Sequence, residues 1–415
     1  MSRTFSFHEA VQVGILLSPS RSSCSSECRY CFLQIYTPYV FHTTDQICLR
    51  LLIVTSFQAL NQHPDATIKR QAEEWLERFQ ESAHAWTMCD SLLHDPTSTQ
   101  EVNFFCSQTL KRKVQRDFLD LPAEAALLLR DSLLTLLLKH EEGPVRTQLA
   151  LAVASLAAHV PANDWDGIGA LRWLAIRLTR SEDNAAALSC LLELLVVFPQ
   201  EAGSFRPAVH PNRRRAFTKE MIQESPSAID MIATCVQQMP DMRHIRERAL
   251  DAYSAWIRLS QGSAGTDDVA TVSSAVDAAM LSTHPLTILA LDSLNLHDTE
   301  PDIFYRAVDA VCELVRSTVG SENLVGSQTL NVIPVASSPL AHLIVSHVLE
   351  LRKALSDASA SSGDADEVAK SISRLLVEIG EAYAPVIAAV CFALCLDHPD
   401  KFFAFWFFSF FFTLV

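Results

Sequence analysis

The chain has 415 residues, 49% hydrophobic and 20% charged, with a formal net charge of −15 and 11 glycines. Glycine is far below the average usage of roughly 7%, which excludes folds that rely on glycine-rich phosphate loops or parallel barrels. An acidic surface repels nucleic-acid phosphates and suits basic protein partners, so no nucleic acid is expected as a ligand.

Residues 1–50 form a first zone without sustained helical period. It contains "CSSECRYCF", with Cys24, Cys28 and Cys31 in the C-x-x-x-C-x-x-C spacing. Three thiolates so placed can hold three irons of a four-iron cluster, as radical S-adenosylmethionine enzymes do. That chemistry needs a barrel behind it, and a helical array follows instead. A zinc site completed by Cys48 or His42 matches no common finger spacing. Free thiols in a disordered or mis-spliced leader are the favoured reading. Five further cysteines stand alone (Cys89, Cys106, Cys190, Cys235, Cys312), and no N-x-S/T sequon occurs. Both facts point to a reducing compartment, cytosol or nucleus.

From about residue 51 to 396 the chain is a succession of amphipathic helices. Ile68, Ala72, Trp75, Leu76 and Phe79 lie on one helical face that Asp65 or Thr67 could cap. Val102, Cys106, Leu110, Val114 and Phe118 step by four along the next. Leu127–Leu138 and Leu149–Val160 are apolar nearly all round and require cover on most sides. Leu188, Leu191, Leu192, Leu195 and Val196 form a stripe with Asp183 before it and Pro199 at its end. Ile245, Ala249, Ala252, Trp256 and Leu259 form another. Trp75, Trp86, Trp173 and Trp256 read as core, and His84, His159 and His284 as caps or surface residues at helix boundaries.

Second-of-pair helices are predicted to start near 67, 100, 146, 184, 244, 303 and 366, about 50 residues per step, slightly above the HEAT period of roughly 40–47. Polar stretches at 260–268 and 356–366 account for the excess. The fold is therefore all-α, an α-solenoid (superhelix) of HEAT-like helical hairpins. Such an array has no single pocket for catalysis and works by gripping other proteins. No G-x-S-x-G, H-E-x-x-H or P-loop pattern occurs, so no enzyme activity, cofactor or metal is expected.

On the second stripe helix Gln108, Lys111, Arg112 and Gln115 lie opposite the apolar positions and are the candidate partner-facing residues. "NRRR" at 212–215 is expected to organise a loop and to pair with acids such as Glu220 or Glu224. His398-Pro399-Asp400 matches the tripeptide of J-domain co-chaperones, but reads as a loop between repeat helices. The tail "FFAFWFFSFFFTLV" (402–415) is too short for a membrane span, which needs about 20 apolar residues, so no membrane is expected. It reads as translated non-coding sequence.

Several strings in fixed order carry a resemblance: "AEEWLERFQESAHAWTMCDSLL" (72–93), "FFCSQTLKRKVQRDFLDLP" (104–122), "LRDSLLTLLLK" (129–139), "TQLALAVASLAAHVP" (147–161), "LLELLVVFPQE" (191–201) and "NRRRAF" (212–217). They resemble the importin-β superfamily of karyopherins, in its transportin-SR and importin-13 branch. Weaker matches run through "ALDAYSAWIRL" (249–259) and "YRAVDAVCELV" (305–315) to about 396. The resemblance implies a nuclear transport receptor of cytoplasm and nucleus. Its implied partners are the GTP form of the small GTPase Ran at the early repeats, serine/arginine-rich cargo, and nucleoporins. It divides the chain into a non-family leader (1–50), importin-β N-terminal-like repeats (51–140), exportin-1/importin-β-like repeats (141–396) and a non-family Phe-rich tail (397–415). The family solenoid continues for about as many repeats again, so the cargo-binding arch is expected to be missing. A mis-spliced or misread frame would explain both foreign ends.

Overall fold

A computed structural model describes residues 46–180, 184–204, 206–240, 242–261, 276–297, 299–323, 338–348 and 365–397. The described residues form fifteen α-helices and no strand. They are α1 Gln46–Gln62, α2 Ala66–Glu81, α3 His84–His94, α4 Gln100–Asp117, α5 Ala123–Lys139, α6 Pro144–His159, α7 Ala170–Leu178 and α8 Asn184–Ala202. There follow α9 Pro211–Gln238, α10 Arg243–Gln261, α11 Ala278–Thr283, α12 Pro285–Ser293, α13 Pro301–Asn323, α14 Pro339–Val348 and α15 Ala365–Asp397. The second helices of the pairs begin at Ala66, Gln100, Pro144, Asn184, Arg243, Pro301 and Ala365, each within two residues of the positions expected from the stripes. Helix α1 begins at Gln46, inside the stretch read as leader.

Helix starts follow local chemistry. The Asp65 carboxylate accepts from the Thr67 amide at 2.8 Å, and this bond holds the carboxyl below its ordinary value. Thr99 caps α4, Asp277 caps α11, and His284 caps α12 through Nδ1. Between α6 and α7 the chain turns through Asp166, Gly167 and Gly169, all at positive φ, which glycine adopts freely and Asp tolerates. That turn seats Trp165 edge-on to Trp173, at 5.4 Å between ring centroids.

The chain divides into two compact units, 1–194 with 204–217, and 195–203 with 218–415. In the first, α1 packs on α2, α3 on α4 and α5 on α6, while the second helices α4 and α6 lie side by side. This is HEAT-type stacking of hairpins. Ala72, Leu76 and Phe79 of α2 and Val102, Cys106, Leu110 and Val114 of α4 are buried, whereas Ile68, Trp75 and Phe118 end half-buried. The all-round apolar α6 is buried continuously from Ala152 to Ala158; α5, by contrast, leaves Leu127 43% exposed. Each fully buried Leu or Phe contributes about 1.5–3 kcal/mol.

In the second unit α10 packs on α13 and α13 on α15. Arginine–carboxylate pairs join these three helices. Arg306 reaches Asp251, Arg258 reaches Glu313 at 2.8 Å, Arg316 reaches Glu313 at 3.0 Å and also Glu378, and Arg374 reaches Asp309. At the N-terminal end Arg243 meets Asp302 at 2.7 Å and Arg246 meets Glu300 at 3.3 Å.

Pro199 does not end its helix; α8 runs on to Ala202. A proline at 199 cannot donate to the carbonyl of Leu195. The indole N–H of the fully buried Trp256 donates to that carbonyl instead, at 2.7 Å. Helix α8 is also long and apolar enough to cross a membrane, yet 78% of its apolar window is buried within the fold. Cys89, Cys106, Cys190, Cys235 and Cys312 are buried thiols outside any disulfide.

Candidate partner-binding surface

The residues of α4 that point away from its apolar stripe were expected to be solvated. Gln108 is exposed and Lys111 and Arg112 are half-buried, but Gln115 is buried, at 8% exposure. The cause lies ninety residues on. Residues 206–210, between α8 and α9, fold back over α4, and the Ala208 amide donates to the Gln115 carbonyl at 2.6 Å. The solvated stripe therefore stops one turn earlier than expected, and Gln115 serves the fold.

Arg112 donates to Gln80 Oε1 of α2 at 3.1 Å, and Gln80 also donates to Thr109. Glu81 lies 4.0 Å from the same guanidinium. Lys113, third of the "KRK" run, is internal: its side chain is 4% exposed, paired with Asp117 at 2.6 Å and set over the Trp86 ring at 5.6 Å. The i,i+4 Asp117 was the sequence signal for this. Arg116 and Leu119, which the stripe passes over, are both exposed, Leu119 at 80%.

Two arginines of the "NRRR" run reach backbone carbonyls. Arg213 donates to the carbonyls of Ala157 and Val160 at 2.9 and 2.8 Å, closing the C-terminal end of α6, and Arg214 donates to Pro207 at 2.7 Å. Beside them His159 stacks on Phe118 at 4.6 Å, and burial pulls its pKa down to about 4. Loop organisation was expected for this run; its anchoring to helix-end carbonyls was not.

A Ser-His-Asp grouping occurs among the described residues. Ser132 Oγ of α5 donates to Asp90, and His94 Nε2 lies 2.9 Å from the same hydroxyl. A hydrolytic triad needs the carboxylate on the other ring nitrogen and the serine proton directed at the imidazole. Here one carboxylate takes the serine proton directly, which makes the trio a clasp between α3 and α5. It borders a cavity of about 360 Å³ lined by Arg50, Asp90, Ser91, His94 and Asp95. Among the described residues no group of three or more His, Cys, Asp or Glu side chains is gathered to hold a metal. Cys24, Cys28, Cys31, His42, the side chain of Cys48, the His398-Pro399-Asp400 tripeptide and the Phe-rich tail lie outside the described residues.

Comparison with known proteins places these helices. The Importin-beta N-terminal domain family matches residues 72–139, and the Exportin 1-like protein family matches residues 142–294. The first match spans α2–α5 and the second runs from α6 to the end of α12. The chain belongs to the importin-β superfamily. Among its relatives in the superfamily, Transportin MOS14 of Arabidopsis thaliana is 37% identical over 336 residues, covering 80% of this chain and 31% of that protein. The mRNA transport regulator MTR10 of Saccharomyces cerevisiae is 25% identical over 353 residues, 81% of this chain and 32% of that protein. Importin-13 of Homo sapiens is 28% identical over 203 residues, 47% of this chain and 20% of that protein. This importin-β relative thus spans about a third of the length of the first two. Its α4 stands within the N-terminal family match, and Gln108, Lys111 and Arg112 with it.

Proposed function

We propose that the chain is the N-terminal part of a nuclear transport receptor. It would bind the GTP form of Ran with the second helices of its first hairpins and take part in protein import between cytoplasm and nucleus. The observation that carries this reading is the ordered succession of the two family matches along the chain. Gln108, Lys111 and Arg112 are the residues we assign to the Ran-facing surface, with Gln115 supporting the helix from beneath residues 206–210. Serine/arginine-rich proteins are the proposed cargo class and nucleoporins the further partners. The action is binding, with coupling between partners carried by changes of curvature along the stack.

The test is capture of the chain on immobilised Ran loaded with GTP or with GDP. Retention on the GTP form alone supports the receptor reading; equal or absent retention refutes it. A second reading has its own observation. A chain spanning about a third of its relatives could serve as a helical-repeat scaffold without transport activity, and GDP-indifferent binding would favour it.

A further inference from the structure

Gln80 stands one residue from the end of α2 and bridges two residues of α4. Phe79 stacks on Phe105 at 6.3 Å between ring centroids, which sets the two helices in register. One residue past Phe79 and one turn past Phe105, Gln80 Nε2 donates to Thr109 Oγ1 at 3.1 Å, while Arg112 Nη1 donates to Gln80 Oε1 at 3.1 Å. Thr109 and Arg112 are i,i+3 neighbours on α4, so a single amide spans both. That amide has one orientation. A guanidinium only donates, so the amide oxygen faces Arg112 and the NH2 group faces Thr109. Thr109 is fully buried and is also hydrogen-bonded to the buried Cys89 thiol of α3. The inner end of Gln80 is thus anchored in the core of the first unit. Its outer end holds a guanidinium whose side chain is 41% exposed. Glu81, 73% exposed and 4.0 Å from Arg112 Nη2, is a weaker, solvated second contact.

We propose that Gln80 is a positioning residue of the partner surface: it holds the Arg112 guanidinium in the direction in which Arg112 meets an acceptor oxygen of the bound protein. The inference rests on the reading of α4 as that surface and adds to it a residue of α2. An unheld arginine loses rotamer freedom when a partner orders it, and a bond made beforehand removes that loss. The holding group matters as much as the bond. Glu313 and Asp251 hold arginines of the second unit with carboxylates, which cancel the charge they fix. A neutral amide fixes Arg112 and leaves its charge for the partner.

Variants of the full chain separate positioning from packing. Gln80→Met keeps the side-chain length and removes both hydrogen bonds; Gln80→Glu keeps the acceptor toward Arg112 and adds a charge. Modification of Arg112 by phenylglyoxal, followed by peptide mass spectrometry, reads its restraint without any partner. The rate should rise at least about threefold in Gln80→Met and stay near the parent's in Gln80→Glu, with Arg258 of the second unit as the unchanged internal standard. Binding to Ran loaded with GTP should weaken about three- to tenfold in Gln80→Met. It should weaken in Gln80→Glu as well, because the new carboxylate cancels the Arg112 charge. Added to Arg112→Ala, Gln80→Met should cause no further loss, since nothing is left to position; a merely structural role would add its cost in either background. An unchanged modification rate in Gln80→Met, or additive losses in the double variant, would overturn the proposal. If the parent binds neither form of Ran, the receptor reading falls, and the modification rates alone decide whether Gln80 holds Arg112.

Discussion

The two units fasten their second helices differently. In the second unit α10, α13 and α15 are tied by arginine–carboxylate rungs: Arg306–Asp251, Arg258–Glu313, Arg316–Glu378 and Arg374–Asp309. In the first, the ties between second helices are mostly neutral partners or carbonyls. Gln80 meets Thr109, Arg146 donates to Ser189 at 2.9 Å and Thr147 donates to the buried Glu193 at 2.6 Å; from α9, a first helix, Arg213 closes α6 on two carbonyls. The difference teaches where a partner can bind. Arginines already matched to carboxylates offer a ligand little, because each new contact must break an old one. The first unit keeps Gln108 and Arg116 unengaged on α4, and it is there that we place the partner surface.

The largest expected effect lies in the core of the second unit. Trp256→Ala removes a fully buried ring and should cost about 3–5 kcal/mol. Trp256→Phe keeps most of the packing but strands the Leu195 carbonyl that Pro199 cannot serve, for about 1–3 kcal/mol. Equal stability of Trp256→Phe and the parent in urea titration would remove the bonding role assigned to the indole.

Next comes the cap of the first unit. Arg213→Ala should cost about 1.5–3 kcal/mol through its two charge-assisted bonds. Hydrogen exchange at the C-terminal turn of α6 should rise with it, and the loss should persist at high salt. The rungs of the second unit predict the opposite pattern. Arg306→Ala should cost under about 1 kcal/mol, and the difference should shrink as salt is raised, since partly exposed ion pairs are weak and screened. A salt-insensitive Arg306→Ala would erase the contrast between the units.

Acid provides a smaller probe. The His159 pKa falls from 6.5 to about 4 through burial, so the unfolded chain binds this proton more readily than the folded one. The neutral-imidazole stability is complete above pH 6.5 and is lost progressively as pH falls toward 4. His159→Gln should flatten that part of the stability profile; an unchanged profile would count against the assignment.

Much of this fold was legible in the sequence because stripes of apolar residues at helical spacing report burial directly. Ala72, Leu76 and Phe79, or Ile245, Ala249 and Trp256, needed no knowledge of their neighbours to be placed inward. What was not legible depended on distant chain. Pro199 looks like a helix end, and only Trp256, far along the sequence, explains how the helix passes through it. Gln115 looks solvated until residues 206–210 cover it. Lys113 looks like the end of a basic run, although Trp86 and Asp117 draw it inside.

Hydrogen exchange of the chain, alone and with Ran loaded with GTP or GDP, tests the central contrast most directly. We predict slowed exchange on α2 and α4 with the GTP form only, and unchanged exchange across α10 and α13. Protection centred on α10 and α13, or the same protection with both nucleotides, would contradict the account.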